Sequence, residues 1–393
     1  MGCNLTCPSK AISAGPVTWL GIAGGGRAFY HRMGLDRPQI TPKNTIAALA
    51  NTATSDPGPD GLITTGSLVI EARVEPWPGR DVSILRYGAK DRWLRGAIIT
   101  YRADGRLVVD MVQGDELRRT SVAIAPVIGE CDLRITYSWD APARAGVLSV
   151  EHLDAETLHQ IRFHNPLPLP HIDGERLVKN VVTDHEQTPD NAAILSLGVA
   201  HGIAPVALAP GLAEGSKIDT PMGPRPIEDL RPGDLVLTNS GEAKPVRHLA
   251  ARQVPALGLM RPLQLRAPFL DLSHDVLIAP HQRLLLSGGE AEYLYGEDAV
   301  MIHARHLRHG HAALWASPRP LVRYYAVLLD SHECLSVGGV WCESLFVGPM
   351  VPDMLRTTVL SDMPPLNVPI HKLMATPSLS RFEARNLVTA LHA

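Results

Sequence analysis

The stretch that decides the fold of the C-terminal half runs Gly215-Ser-Lys-Ile-Asp-Thr-Pro-Met-Gly-Pro-Arg-Pro-Ile-Glu-Asp-Leu-Arg-Pro-Gly-Asp-Leu-Val-Leu-Thr238. Short extended runs alternate in it with Pro and Gly, the residues that form tight turns. The pattern predicts a strand, a turn at Met222-Gly223, a second strand, a turn at Pro232-Gly233 and a third strand. A β-rich domain with closely spaced turns therefore occupies this part of the chain.

Further blocks follow in the same half of the chain. They are Lys244-Pro-Val-Arg-His248, Asp275-Val-Leu-Ile-Ala-Pro-His-Gln-Arg-Leu-Leu-Leu286, Ala291-Glu-Tyr-Leu-Tyr-Gly-Glu-Asp-Ala-Val300, His306-Leu307, Tyr325-Ala-Val-Leu-Leu-Asp-Ser-His-Glu333 and Glu343-Ser344. In order and in nearly every position, the opening stretch and these blocks resemble the motifs of Hint domains of the hedgehog and intein type. The resemblance covers about residues 211–350, is to the bacterial Hint subgroup without a splicing endonuclease, and implies a Hint-type β-fold.

The resemblance also implies a chemistry. Active members of the family begin with a cysteine, whose thiol attacks the carbonyl of the preceding residue and converts a peptide bond into a thioester. A Ser or Thr and a His in a later block polarise the scissile amide and protonate the leaving nitrogen. Splicing additionally requires a C-terminal Asn, whereas Cys342-Glu-Ser344 stands at that end here.

This sequence departs from the family at the chemical positions. The nucleophile position falls on Gly211, which has no side chain, and Ser216 lies five residues too late to form the required ring. The Ser/Thr position falls on Ala279 and the His position on Gln282. These departures predict a degenerate Hint domain without a catalytic residue.

Three residues stay as candidates for a surviving site. His281 is adjacent to the family's His position, but neighbouring side chains of a strand point to opposite faces, so His281 faces away unless a bulge turns it back. Asp330 and His332 match a later aspartate and histidine of the family, and we expect them to be structural hydrogen-bonding groups.

The N-terminal half has a different pattern. Ser67-Leu-Val-Ile-Glu-Ala-Arg-Val74 alternates, with Leu68, Ile70, Ala72 and Val74 on one face, as a half-buried strand does. Similar short runs follow at residues 82–87, 97–101, 107–111, 121–124, 133–137 and 147–150, separated by turn residues, which is typical of a β-sandwich. The order of the runs resembles a concanavalin or laminin-G jelly roll. Members of that superfamily bind sugars or cell-surface partners, and Trp93, Tyr101 and Trp139 are the candidates for stacking on a sugar or for core packing.

The predicted fold class is all-β: an N-terminal jelly-roll β-sandwich, then a Hint-type β-fold and a short C-terminal helix. The predicted divisions are a partly ordered arm (1–60), the sandwich (61–201), a Pro- and Ala-rich linker (202–210), the Hint domain (211–350) and a tail (351–393). In the tail, Ser378 caps a helix on which Phe382, Leu387 and Leu391 line one face.

Composition excludes several classes of protein. The hydrophobic fraction of 45% and charged fraction of 20% are those of a folded chain, and a net charge of -3 gives no basis for nucleic-acid binding. The apolar runs are too short to span a membrane. Five scattered cysteines indicate reduced thiols, and no cofactor is expected. His303, His306 and His309 are weak candidates for a metal site; the alternative is an exposed basic turn.

The leading functional hypothesis is a non-cleaving Hint domain that acts as a scaffold or interaction module attached to a binding domain, with an unknown protein or glycan as partner. One alternative is autoproteolysis near Pro210-Gly211 through a nucleophile not yet recognised. Another is carbohydrate or surface binding through the sandwich. The resemblance is to bacterial proteins, and the start of the sequence lacks a signal peptide, which leaves a cytoplasmic location or export by another route.

Overall fold

The computed structural model describes residues 12–24, 61–76, 78–91, 93–124, 129–183, 192–308, 311–374 and 376–391. The chain divides into two compact units, Met1–Ala207 and Leu208–Ala393. The stretch predicted as a linker spans this division, and its residues Ile203, Ala204 and Val206 are buried. The backbone N–H of Ala204 donates to Ser67 Oγ at 2.8 Å, so the first part of that stretch packs within the first unit.

The first unit is a jelly-roll β-sandwich, as predicted. Its strands are β1 (Thr18–Gly24), β2 (Leu62–Ile63), β3 (Thr65–Val74), β4 (Val82–Lys90), β5 (Leu94–Tyr101), β6 (Arg106–Gln113), β7 (Glu116–Ala123), β8 (Cys131–Asp140), β9 (Ala145–His152), β10 (Thr157–His164), β11 (Leu169–Pro170) and β12 (Ala192–His201). A six-stranded sheet, β1-β12-β3-β8-β9-β10, and a four-stranded sheet, β4-β5-β6-β7, are both antiparallel. The two sheets share one apolar core.

Strand β3 shows how the alternating pattern is used. Leu68, Ile70 and Ala72 point into the core, as predicted. Glu71 on the opposite face is also buried, because the guanidinium of Arg134 lies 2.9 Å from its carboxylate and 3.1 Å from that of Glu151. Strand β3 is therefore buried on both faces. The alternating sequence predicted that one face is exposed, and this prediction is wrong for the face that carries Glu71. The ion pairs of Arg134 with Glu71 and Glu151 offset part of the free-energy cost of burying charged groups on that face.

Strand β1 and the helix of the first unit are among the elements that the sequence analysis did not predict. β1 pairs with β12 at the edge of the six-stranded sheet, inside the region predicted as an arm. Trp19 packs over Gly198, where an added Cβ would lie 2.4 Å from the ring. Helix α1 (His171–Thr183) is anchored by Asp173, which accepts hydrogen bonds from Tyr87 and Arg95, both at 2.6 Å. These contacts join residues distant in sequence, so local patterning does not reveal them.

The second unit is built from two six-stranded sheets and a short pair, β16-β17. Its strands are β13 (Leu212–Ala213), β14 (Lys217–Thr220), β15 (Gly223–Pro226), β16 (Leu235–Leu237), β17 (Ala243–Pro245), β18 (His248–Pro255), β19 (Leu263–Leu265), β20 (Val276–Ile278), β21 (Arg283–Ser287), β22 (Ala299–His303), β23 (Ala313–Trp315), β24 (Leu321–Leu328), β25 (Cys334–Val337) and β26 (Val340–Glu343). The sheet orders are β18-β24-β13-β20-β19-β23 and β15-β14-β25-β26-β21-β22. The opening stretch forms the predicted hairpin of β14 and β15, and Gly223 at its turn has φ +106°, which favours glycine.

Helices of the second unit are short: α2 (Gly289–Tyr295), α3 (Pro352–Leu355) and α4 (Arg381–Leu391). The predicted C-terminal helix is present as α4, and Leu387 is buried as predicted, but Phe382 is 73% exposed, so its place on the buried face is wrong. Ala384 and Val388 are buried with Leu387, because positions i, i+3 and i+4 lie on one side of a helix. The side chain of Leu391 lies outside the described residues. Among the described residues, no helix is both long and apolar enough to cross a membrane.

Candidate functional site

Gly211 lies directly before β13, a central strand of its sheet. Its N–H donates to Tyr325 O at 3.2 Å, and its carbonyl accepts a hydrogen bond from Ala279 N at 2.6 Å. β13 itself pairs with β20 on one side and β24 on the other. The backbone at the family's nucleophile position is thus held from both sides.

Gln282 packs against Gly211. A Cβ added to Gly211 would lie 2.2 Å from Gln282 Oε1 and 2.8 Å from Gln282 Cβ, far inside contact distance. The amide nitrogen of Gln282 donates to the carbonyls of Arg283 and Glu343, both at 3.1 Å. Two of the three positions that the resemblance singled out, residues 211 and 282, are therefore adjacent, and the glutamine occupies the space that a side chain at residue 211 would need.

His281 faces the segment that precedes Gly211. Its Nε2 lies 3.2 Å from the carbonyl oxygen of Ala209 and 3.3 Å from that of Pro210. The expectation that His281 sits in a strand and faces away is wrong. Residues 279–282 form a turn between β20 and β21, closed by Gln282 N–H donating to Ala279 O, so strand alternation does not apply.

A buried charge cluster lies next to Gln282. The carboxylate of Glu343 is 2.8 Å from Arg283 Nη1 and 3.6 Å from His332 Nε2. Burial by itself raises the pKa of the Glu343 carboxyl, but the charge of Arg283 and the contact with His332 outweigh it and hold that pKa at about 2. Sequence analysis missed Arg283 and Glu343 because strand pairing, not sequence proximity, brings them together.

Asp330 and His332, the other two candidates, occupy different environments. The side chain of Asp330 is 66% exposed and pairs with Arg247 at 3.0 Å. His332 is buried, with its ring 5.1 Å from that of Phe346 and 6.1 Å from that of His371. His332 therefore belongs to the interior, and Asp330 to the surface.

Three thiols fall within the described part of the chain. Cys131, Cys334 and Cys342 are buried and form no disulfide. Burial, reinforced by neighbouring carboxylates, raises the pKa of Cys131 and of Cys334 to about 12. Burial, and then the neighbouring Cys334 and Glu343, raises the pKa of the Cys342 thiol well above its usual value. These three thiols are held in the unreactive protonated form.

His303 and His306 are buried at the end of β22, in a place where an exposed turn was expected. His303 donates from Nδ1 to the carbonyl of His281 at 2.8 Å. Burial, followed by the charge of Arg305, lowers the pKa of His306 to about 3. His309 lies outside the described residues, and within the described ones no group of three or more His, Cys, Asp or Glu is arranged to hold a metal ion.

A family model described as Hint domain matches residues 210–349. Residues 210–349 form a Hint domain. The domain is related to the inteins and to autoprocessing proteins, which confirms the resemblance seen in the sequence.

Parts of the chain are similar to solved structures. The bacterial intein-like domain of Clostridium thermocellum is 13% identical, with a TM-score of 0.24, over 35% of this chain and 99% of its own. The CBM40 of Ruminococcus gnavus IT-sialidase, bound to α2,6 sialyllactose, is 14% identical (TM-score 0.25; 35% and 76% coverage). The LG1-3 region of the laminin α2 chain is 10% identical (TM-score 0.21; 72% and 53% coverage). No curated protein sequence matched the chain.

Proposed function

We propose that the Hint domain of this chain does not cleave or splice, and that it serves as a fixed scaffold that carries the N-terminal sandwich as a binding domain. One observation supports this above the others: Gln282 fills the volume beside Gly211 that a nucleophilic side chain would occupy. Glycine stands at the nucleophile position and glutamine at the family's histidine position, and the glutamine side chain fills the space that the glycine leaves. Such a close-packed pair stabilises a fold but supplies no attacking group.

The surrounding residues support the same proposal. His281 contacts the carbonyls of Ala209 and Pro210, so a group that interacts with the former scissile segment persists, but the attacking atom does not. Nucleophilic catalysis needs a nucleophile within reach of its base and a lowered pKa or an adjacent base to activate it. The described cysteines have raised pKa values, with burial as the main cause.

The test is the intact mass of freshly expressed full-length protein, with and without dithiothreitol or hydroxylamine, which release thioesters. We expect one species at 42.5 kDa under all conditions. A Gly211→Cys, Gln282→His variant is the matched comparison, because it restores the family residues at both positions and removes the Gln282 Oε1 atom, which would lie 2.2 Å from a Cβ at residue 211. Cleavage in this variant alone means that only the reactive groups were lost. Cleavage of the wild type next to residue 210 contradicts the proposal.

Glycan binding through the sandwich is the alternative for the partner. Of its three candidate aromatic residues, Tyr101 and Trp139 are buried in the core and Trp93 is exposed. The guanidinium of Arg95 lies 4.6 Å from the centre of the Trp93 ring, so one face of that ring is already covered. The alternative therefore rests on the other face of Trp93, and retention on immobilised glycans is the assay for it.

A further inference from the structure

The segment that follows the Hint domain in sequence packs against that domain. Residues 351–374, called the strap below, pack Leu355, Val359, Leu360 and Val368 against a face formed by β18 and β24. Ala250, Ala326 and Leu328 supply that face. The strap also carries large apolar side chains that point outward, with Leu366 fully exposed and Ile370 and Leu373 mostly exposed.

His371 anchors the C-terminal part of the strap through both ring nitrogens. Its Nδ1 accepts a hydrogen bond from Val347 N at 3.1 Å, and its Nε2 donates to Leu329 O at 3.2 Å. The backbone N–H of His371 also donates to Val347 O at 2.9 Å. The residue is 4% exposed, so water does not replace these partners.

This pairing requires the neutral imidazole. One nitrogen must accept and the other must donate, whereas the protonated ring has N–H groups at both positions and accepts nothing. Protonation would direct an Nδ1–H at the Val347 N–H inside a buried site, which costs a hydrogen bond and leaves two donors facing each other. We propose that His371 is an acid-sensitive latch, whose protonation releases residues 363–374 of the strap from the Hint domain.

The charged groups around the latch favour release in acid. His332, whose ring is 6.1 Å away, repels a protonated His371 when it is itself charged. Asp330 attracts a protonated His371, but the carboxylate of Asp330 is exposed and paired with Arg247. The carboxylate of Glu343, which is 14% exposed, already pairs with Arg283 and His332. Burial, and then the charge of His332, lowers the pKa of His371 below its usual value, in agreement with this arrangement.

A second contact ties the strap to the Hint domain before its C-terminal part. His248 Nε2 on β18 lies 3.6 Å from Asp362 Oδ1 of the strap. The latch therefore concerns the residues beyond Asp362.

The sign and size of the effect follow from proton linkage. Because the latched state disfavours the proton, latching is strongest above the ordinary histidine pKa of about 6.5 and weakens as the pH falls below it. For one proton, the opening equilibrium rises by up to about tenfold per pH unit.

Hydrogen exchange of the full-length protein, followed by mass spectrometry and corrected for the intrinsic exchange rate at each pH, tests the latch. Between about pH 7.5 and 5 we expect protection to fall for peptides within residues 364–374 and to hold in β24. His371→Gln, which keeps an acceptor and a donor without titrating, should abolish this pH dependence. His311→Gln, at an exposed histidine, should leave it unchanged.

Two results would overturn the latch. One is protection of residues 364–374 that does not change with pH in the wild type, and the other is an equal pH dependence in His371→Gln. If that variant does not fold, nitrogen NMR of the wild-type imidazole decides. The latch requires the neutral Nε2–H form at neutral pH; an Nδ1–H form, or a ring that is already charged there, rules it out.

Discussion

At the scale of single residues, Gly211 and Gln282 have to be understood together. The glutamine side chain occupies the space that any Cβ at residue 211 would need, and its amide is held by two backbone carbonyls. A change at one position alone therefore leaves either a clash or a cavity. This is the physical reason for restoring both family residues at once in the cleavage test.

Glu343 carries the clearest electrostatic prediction at this scale. Glu343→Gln leaves Arg283 in the interior without its carboxylate partner, and breaking a buried pair in this way costs about 3–5 kcal/mol of unfolding free energy. Urea denaturation of the full-length protein measures it. Glu297→Gln, at an exposed carboxylate, is the matched control and should change stability by less than about 0.5 kcal/mol.

The contribution of Glu343 to the free energy of unfolding depends on pH. The pKa of Glu343 in the folded protein, about 2, lies below the ordinary value of 4.5. The stabilisation is therefore complete above about pH 4.5 and is lost as the pH falls towards 2. The Glu343→Gln variant should lose less stability than the wild type across this window. Equal losses would show that the cluster does not contribute to acid sensitivity.

At the scale of elements, the C-terminal helix completes the core of the second unit. Leu387 of α4 is 1% exposed and belongs to the same apolar cluster as strands β20 and β22. Leu387→Ala should cost about 2–5 kcal/mol, because it removes buried methyl groups and leaves a cavity. Phe382→Ala on the exposed face of the same helix is the control.

Thermal or urea unfolding of the two helix variants separates the possibilities. Loss of stability in Leu387→Ala but not in Phe382→Ala agrees with the packing described here. Equal losses in the two variants would contradict this packing, because alanine has the highest helical propensity and neither substitution lowers it. Phe382 lies on α4 and is exposed, so a hydrophobic residue in a helix does not by itself identify the buried face.

At the scale of the whole molecule, each compact unit has an apolar core of its own. The core of the second unit draws on residues from Leu212 to Val388, so it extends past the end of the family match into the tail. We expect a fragment of residues 208–393 to fold alone, with a dispersed NMR spectrum and a cooperative urea transition. A fragment ending at residue 375 loses Leu379, Ala384 and Leu387 and should be measurably less stable. An unfolded 208–393 fragment would contradict this.

The sequence by itself determined the class of each half. Alternation in runs such as Leu68 to Val74, with turn residues between them, predicts the sandwich strands because the period of two is a local property of a strand. The order of motifs from Gly215 onward identified the Hint domain, and the alignment of those motifs placed Gly211 at the family's nucleophile position without any coordinates.

The tertiary structure alone decided where these residues lie relative to one another. The contact of Gln282 with Gly211, the position of His281 over the Pro210 carbonyl and the cluster of Glu343 with Arg283 all depend on strand pairing. The strap, the buried Glu71 and the exposed side of α4 are likewise products of packing between distant segments. Periodicity fixes which faces an element has, but burial of a face depends on what folds against it, and that depends on contacts across the chain.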